Sequence, residues 1–204
     1  MANKTAGGLR HKGTSPEGLV VTSAVEELDR RLEPWRGHLG PDWDAYRGHA
    51  ARVLALCDEL HAISPRASSS PVPSTTEEFL TAAAFHDLGI WTAGTFDYLP
   101  PSADLAVAWL RDHGRDDLRT IVTEMVYHHH KVRRAAPPAS PVEMFRRADA
   151  IDVSFGVIRF GVSRRRYRQI SKRLPDNGFH RRLIELTVDR AKTHPTSPLP
   201  MFRW

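Results

Sequence analysis

The sequence predicts an all-α protein, and three observations carry that prediction. Apolar residues recur three, four and seven apart in successive stretches, the period of helices that bury one face. Helix-start signals precede several of these stretches. The clearest is Ser140-Pro141-Val142-Glu143, which joins a capping serine, a proline at the first helical position and a capping glutamate. No strand pattern or internal repeat stands out.

Taken in order, residues 1–16 are polar, Gly-rich and without periodicity, so a loose tail is expected. Leu19, Val20, Val25, Leu28 and Leu32 predict a short amphipathic helix that ends near Pro34 and packs as a lid. A longer helix opens near Asp42 and runs to the break at Ser64-Pro65. Within it Tyr46, His49, Ala50 and Val53 share a stripe, so His49 faces inward. The Pro/Ser-rich stretch 64–75 reads as a surface loop, and Ser74 with Glu77 reads as a capping box opening the next helix just before Thr75.

That helix carries Phe79, Ala83, His86, Asp87 and Ile90 at helical spacing, which puts an adjacent histidine and aspartate on the face due to be buried. An irregular loop with Trp91, Phe96 and Tyr98 follows. The next helix starts about Ser102 and ends at His113-Gly114, with His113 facing water. Leu118, Ile121, Val122, Met125 and Val126 then lead into His128-His129-His130-Lys131. His129 continues the stripe, whereas His128 and His130 fall at its edges. The helix after Ser140 carries Phe145, Ala148, Asp149, Asp152 and Phe155, with both aspartates near the apolar stripe. Two more helices fill residues 163–193, and an extended end follows.

Length and composition fit one domain. The 204 residues are 41% hydrophobic and 26% charged, ordinary for a folded globular chain. No apolar run approaches the ~20 residues of a membrane span, and the N-terminus lacks a signal-peptide core, so a cytoplasmic protein with no membrane partner is expected. The single cysteine, Cys57, suits packing in a reducing compartment. Net charge is +5, with basic residues gathered from Arg159 to Arg182; a solvated helix face or a nucleic-acid surface would each look so.

Four helices thus bring an imidazole or carboxylate to their inner faces, through His49, His86-Asp87, His129 and Asp149. Buried polar groups need partners, and these supply one another only around a shared centre. In their order, the chain resembles the HD-domain superfamily of metal-dependent phosphohydrolases. Gly89 after the aspartate, the paired histidines before the last ligand and Ala148-Asp149 in the Arg-Arg-Ala-Asp run add to the likeness. It spans residues 42–160.

The resemblance implies a single HD-domain helical bundle over residues 17–204 with additional C-terminal helices. It implies one divalent ion, Mn, Fe, Co, Ni or Zn, held by His49, His86, Asp87 and Asp149. Water activated by that ion attacks phosphorus in a phosphomonoester or nucleotide, a small anionic substrate. His129 or His130 serves catalysis, Lys131, Arg147 and Trp91 contact substrate, and Asp152 holds a ligand histidine from behind. Relatives with two metal ions commonly place an extra histidine at the start of the helix after the His-Asp pair; Ser102 or its neighbours stand there in this chain, so one ion is expected. The superfamily also contains hydratases of small nitrile-type compounds, which the aromatic loop suits. A nucleic-acid-binding regulator is the third reading.

Overall fold

A computed structural model of the chain describes residues 16–196 apart from 66 and 96, with side chains described from residue 23. The described residues are all-α, with no strand among them. The expected loose tail, Phe96 and most of the extended end lie outside the described residues.

The first helix, α1, is Pro16–Leu32; a short α2, Arg36–Leu39, leads to the long α3, Trp43–Ala62. The lid expectation for α1 is corrected by its packing. Leu28 and Leu32 are fully buried against the core, and α1 lies on both α3 and α4, Glu77–Phe85. Arg31 ties it down, bonding Glu27 at 2.7 Å and Glu77 at 2.6 Å. This pairing also removes the expected capping box. Glu77 is spent on Arg31 and Thr81, Thr76 takes the N-cap position without a side-chain bond, and α4 starts at Glu77.

A one-turn α5, Gly89–Thr92, follows, then α6, Leu99–Asp112, three residues earlier than expected because Pro100 and Pro101 occupy its first turn. His113 is exposed and stacks on Trp109, as expected for a last-turn residue. Next come α7, Arg119–His128, and α8, Pro141–Val153, whose cap is the expected one: Ser140 Oγ accepts from the Glu143 amide. Phe155 lies beyond the end of α8, exposed, with φ of 54°, so it is not on the helix stripe. The chain continues through α9, Arg164–Arg173, to α10, Phe179–Thr193.

At the centre α3 and α8 lie side by side. Around them α1, α4, α6 and α7 close the core, while α9 and α10 cover another side of α3. Ala82, Ala83 and Ala84 are buried, and their small side chains let the helices approach where the polar residues converge. Among the described residues no helix is long and apolar enough to cross a membrane.

Candidate metal centre

Each inward polar residue is positioned by a specific feature of its element. His49 sits in the middle of α3 and Asp149 in the middle of α8, on facing sides of the central pair. His86 and Asp87 lie in the turn just after α4, rather than on the helix itself. That turn is locked by Gly89, whose amide donates to Ser102 Oγ at 2.9 Å. A Cβ at residue 89 would stand 2.5 Å from the Tyr98 carbonyl oxygen, so only glycine admits this approach. The position expected to lack a second-ion histidine therefore holds a serine engaged with the His-Asp turn.

Since α7 ends at His128, the two following histidines leave the helix and both turn toward the centre. His129 is buried, as its stripe position predicts, with its Nε2 3.1 Å from Asp87 Oδ1. The edge placement of His130 is corrected. Its Nδ1 lies 3.4 Å from Asp149 Oδ2 and its Nε2 2.6 Å from the Tyr98 hydroxyl, because the chain is no longer helical there.

Three imidazoles present Nε2 to the centre because their Nδ1 atoms are engaged behind them. Nδ1–H donates to Asp152 Oδ2 at 2.7 Å in His49, to the Ala83 carbonyl at 3.0 Å in His86 and to the Val126 carbonyl at 2.7 Å in His129. The Nε2 atoms of His49 and His86 then face each other at 2.9 Å, lone pair toward lone pair. Around them, Asp149 Oδ1 lies 3.5 and 3.9 Å away, and Asp87 Oδ2 3.7 and 3.5 Å away.

Nitrogen and oxygen ligands about 2.0–2.2 Å from an ion stand about 2.8–3.6 Å apart in octahedral or tetrahedral geometry. The 2.9 and 3.5 Å separations fall within that span, and the 3.7 and 3.9 Å ones exceed it by a few tenths of an ångström. Both oxygens of Asp149 are buried with no hydrogen-bond partner, a costly state that an ion relieves. The chemistry of the donor set, imidazole and carboxylate without thiolate, suits a first-row divalent metal.

Electrostatics follow the same pattern. Burial drives His86 down to about 3, against the pull of Asp87, which keeps its nitrogen free to ligate. Burial raises Asp149 to about 7. Burial also opposes the charge on Asp87, but His86 and His129 hold it well below the usual carboxylate range. For His129 the hydrogen bond and charge of Asp87 outweigh burial, and its basicity rises. Burial and the neighbouring His129 hold His130 neutral, and burial keeps the Tyr98 phenol protonated.

The remaining expected residues are more scattered. Asp152 Oδ2 accepts from His49 Nδ1 on the side of the ring away from His86. The indole nitrogen of Trp91 donates to Asp42 at 2.9 Å, and its ring lies 4.9 Å from that of Tyr46. Lys131 follows His130 in the same turn, and its carbonyl accepts from Arg146. Arg147 bonds Glu143 at 2.8 Å and lies over Phe160, on the side of α8 turned away from Asp149. Sequence reasoning missed Arg52, although its position three after His49 on the same helix was the available signal. It also left Tyr98 as a loop aromatic, without its bond to His130.

No family model, no curated protein and no solved structure matches this chain. The compatibility with an HD-like fold therefore rests on the helical architecture and on a buried His/Asp cluster able to hold a metal ion.

Proposed function

We propose that this protein is a metal-dependent phosphohydrolase of the HD type, acting on a small phosphomonoester or nucleotide. The observation that carries the reading is the convergence of the ligand atoms of His49, His86 and Asp149, with Asp87 Oδ2 3.7 and 3.5 Å from the two imidazoles and both oxygens of Asp149 without a hydrogen-bond partner. One divalent ion held there supplies an acidified water and polarises a phosphoryl oxygen.

The chain's own groups do the rest. His129 carries protons on both nitrogens when charged, so its Nε2–H balances phosphoryl charge and passes a proton to the departing oxygen. The Tyr98 hydroxyl hydrogen-bonds His130 Nε2 at 2.6 Å while His130 Nδ1 lies 3.4 Å from Asp149 Oδ2, which orients the His130 ring toward Asp149 and the reacting group. His130, with its side chain 10% exposed, is the most accessible of these groups, so substrate approaches from its side. Lys131 next to it contacts the outer phosphate oxygens. Arg147, engaged by Glu143, contributes through the shape of α8 instead.

The test is a panel of phosphomonoesters, nucleotides and small nitriles, assayed with each of Mn²⁺, Fe²⁺, Co²⁺, Ni²⁺ and Zn²⁺. Hydrolysis of a phosphate ester that needs the metal, with metal and turnover lost together in Asp149→Ala, is the expected result. Hydration of nitriles with no phosphatase activity would replace the reaction class, and full metal occupancy in Asp149→Ala would remove the site.

A further inference from the structure

We infer that Arg52 and the turn formed by residues 174–180 are positioning elements for His49, which makes the C-terminal helices part of the metal centre. The inference rests on the ligand role of His49 proposed above. Asp152, the partner of His49 Nδ1, is a fully buried carboxylate, and such a charge persists only when it is paired. Arg52 supplies the pairing from one turn along α3, with Nε 2.7 Å from Oδ1 and Nη2 3.0 Å from Oδ2. This two-pronged grip fixes the plane of the carboxylate and so the direction of its bond to His49.

Arg52 is itself held from the far side of the chain. Its Nη1 donates to the Pro175 carbonyl at 2.9 Å. From the same turn His180 bonds Asp176 through Nδ1 and the Asp152 carbonyl at 2.9 Å through Nε2. Phe179 completes the enclosure by lying flat on the His49 ring, with centroids 3.9 Å apart and planes 9° from parallel. The turn reaches this depth because residue 48 is glycine: a Cβ there would stand 2.9 Å from the Pro175 oxygen.

Tautomer and ring plane of His49 are thus set by different neighbours. The ring plane comes from Phe179, and the tautomer from Asp152 through Arg52. A ligand histidine held in this way keeps Nε2 aimed before any ion arrives, and loss of such support typically costs ~10–100-fold in metal affinity.

The experiment compares wild type, Arg52→Met, Arg52→Lys and Phe179→Leu. Co²⁺ affinity is measured by competition with a chelating dye, and the His49 tautomer by ¹⁵N NMR of the metal-free protein. Arg52→Met should weaken Co²⁺ binding ~10–100-fold and shift His49 toward a mixture of tautomers. Arg52→Lys, which keeps the charge but not the two-pronged grip, should recover only part of both. Phe179→Leu keeps the turn apolar and should weaken Co²⁺ binding with the tautomer unchanged; it tests the enclosure even if Arg52→Met fails to fold. Co²⁺ affinities within ~3-fold of wild type together with an unchanged His49 tautomer would overturn the inference. A wild type that binds no Co²⁺ would instead defeat the metal-centre reading, and the tautomer measurement would still decide whether Arg52 positions His49.

Discussion

His129 owes its chemistry to its neighbours more than to its type. With Nδ1–H committed to the Val126 carbonyl and Nε2 against Asp87, its cationic form is favoured. His128, still on α7, does not share that geometry. His129→Gln should therefore cost ~10²-fold or more in kcat/KM, as expected for an acid-base group, while His128→Gln leaves turnover nearly intact. Steady-state kinetics on the two variants checks this, and equal small losses would remove His129 from the mechanism. Replacing Gly89 by alanine acts on the same centre through the backbone, since the new Cβ meets the Tyr98 carbonyl oxygen at 2.5 Å. Overpacking of this kind costs about 1–3 kcal/mol. A lower denaturant midpoint for Gly89→Ala is the expected outcome.

Among the elements, α8 carries Asp149, and its first turn is anchored by Glu143. Burial opposes the charge on Glu143, but hydrogen bonds from Arg146, the Ala135 amide and Arg147 outweigh it and hold the carboxyl at about 2. The ordinary value of 4.5 applies once the chain unfolds. A carboxylate depressed in the folded state stabilises fully above its unfolded value and loses that contribution as pH falls toward the folded one. The melting temperature of Glu143→Gln should then lie well below that of wild type at pH 7, and the gap should close between about pH 4.5 and pH 2. A gap independent of pH would mean that shape rather than charge anchors the turn. The basic helix α9 has a different character. Tyr167 and Ile170 pack on the core, Arg166 pairs with Glu59 of α3, and Arg164, Arg165 and Arg168 are exposed, the pattern of a solvated face.

At the scale of the whole molecule, the centre gathers the carboxylates of Asp87 and Asp149 with four inward imidazoles, and both oxygens of Asp149 have no hydrogen-bond partner. An ion that binds only the folded chain adds stability in proportion to the logarithm of its concentration over Kd, about 2.7 kcal/mol at 100 times Kd. Calorimetry should show a melting temperature that rises with added Mn²⁺ or Co²⁺ and falls with a chelator, and the shift should vanish in His86→Ala. Elemental analysis after loading should count one ion per chain. A count of two would mean that His129 and His130, with Asp87 Oδ1 and Asp149 Oδ2, hold a second, a set whose atoms already lie close together.

The sequence by itself determined the class, the helix stripes and the residues able to ligate, because periodicity reports which face each helix buries and imidazole or carboxylate on that face is rare enough to notice. His49, His129 and Asp149 were legible in this way, and the cap at Ser140 located α8. What only the tertiary structure decided depends on distant partners. Glu77 abandoned its cap for Arg31, His130 turned inward where α7 stopped, and α1 joined the core instead of lying over it. Arg52 became the support of His49 because residues 174–180 fold back across α3, and no local pattern in the chain encodes that meeting. Periodicity fixes the face a residue occupies, whereas its partner depends on which elements pack together.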